Sequence, residues 1–293
     1  MPVDFGITIP HLGRLAQPGM VETIAAEAEE LGFDSVWASD HVIVPVGESY
    51  VPHFCYDPLI VMAWAAAVTE RVRIGVSVLV IPYRDPAVTA RMVATLDQMS
   101  KGRIILGTGV GWLAPEFAAL GKDVHDRGAM TDEYLDCMQA LWTTDPTSFD
   151  GKWTQFQDMR QNPKPMQDPF PVWVGGNIPA AINRAAERGP GWHPINLSLD
   201  EFRSGVDAYH AACRAAGKLE GPVCLRTMPG GRNQPGDDRT PFSGEPAAVA
   251  ADVDAFAEAG LTHLLFSPPA RSLDELREEM RRIAEEIRPL VTA

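Results

Sequence analysis

Short apolar runs alternate along the chain with longer stretches of helical period, and this rhythm predicts a repeated strand–helix fold. The first strand reads Phe5–Ile9, and Val21, Ile24, Ala25, Ala28 and Leu31 form the buried stripe of a helix over Gly19–Leu31, stopped by Gly32. Further strands are predicted at Ser35–Ala38, Val72–Val80, Arg103–Leu106, Val172–Val174, Trp192–Ile195, Val223–Thr227 and His263–Phe266. Helices are predicted from Asp57-Pro58, from Asp85-Pro86 to Ser100-Lys101-Gly102, and over Thr131–Trp142, Pro179–Arg188, Leu199–Ala216, Pro246–Ala259 and Leu273–Ile287. An Asp before Pro opens a helix well, because the carboxylate caps free N–H groups and Pro has none to satisfy. Two stretches break the rhythm. Thr147–Phe156 reads as a small hairpin around Asp150-Gly151, inside an insertion reaching Pro171. The polar loop Pro229–Gly244 reads as a mobile lid.

Eight strand–helix units imply an α/β fold, a (β/α)8 TIM barrel with insertions, with residues 1–293 as a single domain. Active sites of such barrels lie on the loops after the C-terminal ends of the strands. Position in the rhythm therefore sorts chemistry from packing. Composition narrows the function. A net charge of −14 argues against nucleic-acid binding, which needs basic patches. No run of apolar residues is long enough to span a membrane, and the opening MPVDFGITIP lacks the character of a signal peptide. Four scattered cysteines without a Cys-x-x-Cys pair point to a reduced, cytoplasmic protein with no metal site.

Several strand ends carry candidate chemistry. Gly107-Thr108-Gly109-Val110-Gly111 would let the backbone approach a ligand closely. Asp40-His41 pairs an acid with a group able to exchange a proton near neutral pH. Gly175-Gly176-Asn177 precedes a helix and would seat a phosphate on its free N–H groups. Ser77-Val78 interrupts an apolar strand, where a buried Ser bonded to backbone is the commoner explanation. His11, His53, Trp112, Asn196 and Arg226 fall near the same mouth, while His125, His193, His210 and His263 read as structural.

At these residues the chain resembles the luciferase-like monooxygenase superfamily, in its coenzyme F420-dependent branch. The resemblance is carried by FGITIP, GFDSVWASDH, TERVRIGVSVLVIPYRDPAVTAR, GRIILGTGVGW, RGAMTDEYLDCMQALW and VWVGGNIPAAINRAAERGPGW, in order and at strand ends, and loosens beyond Pro194. It implies a bacterial luciferase-like barrel with a deazaflavin or flavin at its mouth. It implies Asp40 as a cofactor-ring contact, His41 in proton transfer, and Ser77-Val78 as a non-prolyl cis peptide bulging toward the ring. Gly107, Thr108, Gly109 and Gly111 would line the ring, and Gly175, Gly176 and Asn177 would hold the phosphate. Apart from the resemblance, His11 and Trp112 are read from their place near the mouth as facing the substrate, with core or rim packing the commoner explanation for either one.

The resemblance departs at one point. The sugar-phosphate dehydrogenases of this branch carry a catalytic acid after the glycine loop, where this chain has Trp112. An apolar or aromatic small molecule suits that wall better than glucose 6-phosphate. The expected protein is an F420-dependent oxidoreductase, with an FMN-dependent monooxygenase as the alternative, a non-catalytic cofactor-binding barrel next, and a cofactor-free hydrolase or lyase unsupported. The family's habit of pairing through barrel helices implies a homodimer, using apolar residues of the Pro58–Val68 and Pro86–Met99 helices. Arg184, Arg188 and Arg226 are candidates for the anionic F420 tail.

Overall fold

The computed structural model describes residues 2–227 and 239–293. Its elements run β1 (Asp4–Thr8), α1 (Met20–Glu30), β2 (Ser35–Ala38), α2 (Pro58–Val68), β3 (Arg73–Val80), α3 (Pro86–Met99), β4 (Ile104–Gly109), α4 (Ala114–Ala119) and α5 (Arg127–Thr143). The hairpin β5 (Thr147–Asp150) and β6 (Gln155–Met159) follows, then β7 (Val172–Gly175), α6 (Pro179–Arg188), β8 (Gly191–His193), α7 (Leu199–Ala215), β9 (Cys224–Thr227), α8 (Pro246–Glu258), β10 (His263–Phe266) and α9 (Leu273–Arg281).

Eight strands form one parallel sheet in the order β8-β7-β4-β3-β2-β1-β10-β9. The gap between its ends is bridged by the parallel pairs Trp192–Val223 and Ile195–Arg226, which makes the sheet a (β/α)8 barrel. Asp57 and Asp85 cap their helices as the Asp-Pro pairs imply, each accepting from two N–H groups of the first turn.

The barrel is filled from within by Trp37, Ile105, Trp173, Cys224 and Leu265. Two indoles, 5.6 Å apart, take space that branched aliphatic side chains usually fill. The neighbouring strands give way to them, with a glycine in register beside each indole. A Cβ at Gly75 would stand 2.3 Å from the Trp37 ring, and one at Gly191 would stand 2.4 Å from that of Trp173. The larger apolar core lies between the outward strand faces and the helices.

β3 shapes the mouth. Its register against β4 shifts between Val76 and Leu79, and the Ser77–Val78 peptide bond is cis, the geometry the resemblance implied. The bulge carries Val78 into a notch made by two glycines. A Cβ at Gly109 would lie 2.4 Å from Val78 Cγ2, and one at Gly175 would lie 2.7 Å from Val78 Cγ1.

The differences from the expected elements are local. β4 continues to Gly109, so three of the five residues of the glycine run are strand rather than loop. α4 was not expected, since six residues are too few to show a helical period. α5 starts at Arg127, a turn before Thr131, and beyond Arg281 the chain reaches Ile287 in wider π-helical turns. Of the loop expected to be a lid, residues 229–238 lie outside the described residues. The remainder is tied down, with Arg239 bonded to Asp252 at 2.6 Å and Phe242 packed on Phe256.

Candidate active site

A cavity of about 660 Å³ opens over the C-terminal ends of the strands, a size typical of small-molecule sites. Leu12, Tyr50, Val51, Pro52, Val80, Tyr83, Val110 and Ile195 line it with Asp40, His41, Ser77, Val78, Gly109, Gly111, Trp112, Gly175 and Gly176. Nine of the thirteen residues expected at the site are thus brought together. Ser39, His193 and Arg226 complete the wall.

Asp40, just past β2, is buried. Its Oδ2 accepts from Arg84 Nη1 at 2.5 Å and from the Val80 N–H at 2.9 Å, and its Oδ1 accepts from Arg84 Nη2 at 2.9 Å. Arg84 also reaches Asp57 at 2.8 Å. Burial alone would lower the Arg84 pKa, but its two acids outweigh that and raise it. The pair is a fixed ionic strut between β2, β3 and α2.

His41 is turned by a residue that the sequence reading did not select. Its Nδ1 donates to Glu116 Oε2 at 3.0 Å. The same fully buried carboxylate accepts from the N–H groups of Val42 (2.6 Å) and Ile43 (3.1 Å) and from the Tyr83 hydroxyl (2.9 Å). Burial pushes the Glu116 carboxyl up, yet the four donors prevail and hold it below its usual range. An ionised Glu116 keeps the proton on Nδ1, which leaves Nε2 without a partner among the described residues, on a ring that lines the cavity. In the sequence, Glu116 is one acid among many, in a segment whose short helix was not expected. The only hint was the Pro115 before it, which opens that helix. Trp112, half-exposed on the rim, stands edge-on to His41 and Tyr50 at 6.3 and 6.1 Å.

Four expected site residues lie away from the cavity. His11 is buried, its Nδ1 donating to Ile9 O at 2.8 Å and its Nε2 accepting the Ser39 N–H at 2.6 Å, so it has nothing left for a substrate. Gly107 lies under β3, where a Cβ would come 2.0 Å from Val76 O. Thr108 faces away from the mouth and is fully buried, with its hydroxyl unpartnered. Asn177 spends its amide on Ile195, donating to its carbonyl at 2.7 Å and accepting its N–H at 3.0 Å, so it braces two loops rather than a phosphate.

His193, expected to be structural, lines the cavity while still bracing it. Its Nδ1 donates to Cys224 O at 2.6 Å and its Nε2 accepts from Ser77 Oγ at 2.7 Å. Arg184 and Arg188, candidates for an anionic tail, are committed to Asp132 (2.5 Å) and Asp136 (2.9 Å). Among the described residues no cluster of three or more His, Cys, Asp or Glu could hold a metal, and no helix is long and apolar enough to cross a membrane.

The barrel has counterparts. The luciferase-like monooxygenase family matches residues 5–228, and the chain belongs to that family. The uncharacterized protein Rv0953c of Mycobacterium tuberculosis is 30% identical, over 92% of this chain and 94% of that protein. An F420-dependent glucose-6-phosphate dehydrogenase of Kineococcus radiotolerans is 28% identical over 87% and 88%. An FMNH(2)-dependent dimethylsulfone monooxygenase of Pseudomonas putida is 33% identical over 52% and 42%. Among solved structures, the monooxygenase RslO1 of Streptomyces bottropensis superposes with a TM-score of 0.84 at 22% identity, covering 98% of this chain and 99% of that one. An F420-dependent secondary alcohol dehydrogenase gives 0.81 at 19% identity, covering 100% of both chains. The protein is an oxidoreductase of a family whose members use F420 or FMN.

The cavity fits such a cofactor. Val78, Val80 and Ile195 offer apolar walls to a flat ring, and Gly109 and Gly175 give the bulged Val78 side chain the room to sit at the mouth. α6 starts without a side-chain cap, so N–H groups of its first turn are open to a phosphate.

Proposed function

We propose that this protein is a coenzyme F420-dependent oxidoreductase acting on a small apolar or aromatic molecule. The observation that carries this reading is the His41–Glu116 pair, a proton-exchanging group oriented by a buried carboxylate at the wall of a cofactor-sized cavity. F420 would supply hydride chemistry at its C5 carbon. The protein would do the rest. Val78 and the glycines beside it would support the ring, and the first turn of α6, with Gly175 and Gly176, would hold the phosphate. Asp40, held by Arg84, would contact the ring edge. His41 Nε2 would give or take the proton that accompanies hydride transfer. Trp112, Tyr50 and Leu12 would exclude water and favour an apolar substrate.

One observation favours a second reading, an FMN-dependent monooxygenase. The arginines of α6 are already paired with acids, which suits a cofactor ending in one phosphate better than one with a glutamate tail.

Titrating the purified protein with F420 and FMN side by side, by fluorescence, tests both. Micromolar or tighter F420 binding with weak FMN binding is expected. The reverse assigns the protein to the flavin monooxygenases, and binding of neither removes the cofactor reading. We further propose a homodimer, and a cytoplasmic location, which the four free thiols support.

A further inference from the structure

Arg226 reaches from β9 across the barrel mouth. Its Nε donates to Ser267 Oγ at 3.0 Å, and its Nη1 donates to Ser77 O (2.6 Å), Ser39 Oγ (3.1 Å) and Ser77 Oγ (3.3 Å). Every one of these acceptors is neutral. Among the described residues no acid pairs with the guanidinium, although the chain has 39 acids against 25 lysines and arginines. Desolvation pulls its pKa down to about 10, so it stays charged at neutral pH.

A guanidinium has five N–H donors, and two of them sit on Nη2. Nη2 makes no hydrogen bond among the described residues, yet it is not one of the sealed, unpartnered atoms. Arg226 itself lines the cavity. The free arm is therefore open to whatever the cavity holds. An unpaired cation withdrawn from water is costly, and a ligand that brings the countercharge removes the cost.

We propose that Arg226 Nη2 is the anion receptor of the cavity, taking an anionic oxygen of the bound molecule. That oxygen has two sources: a carboxylate or enolate-like group of the substrate, or the pyrimidinedione of the cofactor, which gathers negative charge on reduction. The inference deepens the proposed function and rests on it for the second source.

Benzoate and benzamide, matched in size and different in charge, are the probes. Their affinities are measured by tryptophan fluorescence on the protein alone and on protein loaded with whichever cofactor binds. If the substrate is the source, loaded protein binds benzoate at least tenfold more tightly than benzamide. Arg226→Gln then erases the difference. If the cofactor is the source, the benzoate preference appears only in the protein alone. Arg226→Gln then erases it and weakens the cofactor at least tenfold. No preference in either form overturns the proposal, as does a preference that survives Arg226→Gln. Should Arg226→Gln fail to fold, Arg226→Lys keeps a cation near Ser77 O without the second arm. It is expected to lose at least threefold of the preference, and an undiminished preference in it overturns the proposal. If neither cofactor binds, the proposed function fails, and the benzoate comparison on the protein alone still decides for or against Arg226.

Discussion

Glu116 accepts four hydrogen bonds on one carboxylate with no exposed surface, and only one of the four goes to His41. Its part in the chemistry is therefore separable from its part in the fold. Glu116→Gln keeps the shape and an oxygen for Val42 and Ile43, but it places an N–H₂ where His41 and Tyr83 now donate. The amide would meet Nδ1 as a donor and move the imidazole proton to Nε2, the wrong tautomer for accepting a proton there. We expect kcat to fall roughly 10–100-fold, reaching at most the lower end of the roughly 100–10,000-fold that general acid–base groups contribute, since His41 itself remains. KM and cofactor affinity should stay within about threefold, because Glu116 does not line the cavity. A double variant with His41→Ala should be no slower than His41→Ala alone, as two residues acting as a unit require. Full turnover in Glu116→Gln, or additive losses in the double variant, would remove Glu116 from the mechanism.

The elements were legible where one local rule set them, and the site was legible only in part. Asp57-Pro58 and Asp85-Pro86 announce helices in any context, and the apolar β3 run needs no partner to be recognised. The glycines are different. A glycine shows that something comes close, not what comes close. At Gly107 and Gly109 the approaching groups are Val76 O and Val78 Cγ2 of the neighbouring strand, rather than a ligand. β8 is too short for its alternation to show that His193 points inward, and His11 is separated from its partner Ser39 by 28 residues. These two histidines pin strand ends in their neutral forms. Burial holds each pKa at about 4, down from 6.5. At His11 a second ring proton would confront the Ser39 N–H. As pH falls from 6.5 to 4 the unfolded chain binds protons that the folded one refuses, so stability is lost through that window and is unaffected above it. The cost is roughly 3 kcal/mol per histidine once pH reaches 4. Thermal melts from pH 7.5 to 4.5 should show a falling midpoint, and His11→Gln should flatten part of the slope. An equally steep slope in a folded His11→Gln protein would count against this account.

At the scale of the whole molecule, the unspent surface lies on α2. This helix is apolar on every side, which suits a helix covered on both faces rather than one lying against water. Leu59, Val61, Met62 and Ala65 meet the barrel, while Ile60, Trp64 and Val68 remain 60%, 55% and 41% exposed at a spacing of four residues. Val88 of α3, beside α2, adds to the same kind of surface at 58% exposed. Burying such side chains is worth about 1.5–3 kcal/mol each, and a face repeated on a second copy doubles the gain across a two-fold axis. The net charge of −14 opposes association, so apolar burial has to outweigh that repulsion, and added salt should strengthen the pair rather than loosen it. Sedimentation at micromolar concentration should give twice the chain mass of 31.9 kDa. Trp64→Lys, which places a charge in the middle of the face and leaves the barrel wall untouched, should give the single-chain mass with an unchanged far-UV spectrum. A wild-type protein that sediments as one chain in both low and high salt would refute the pairing. It would leave the exposed face of α2 free in solution.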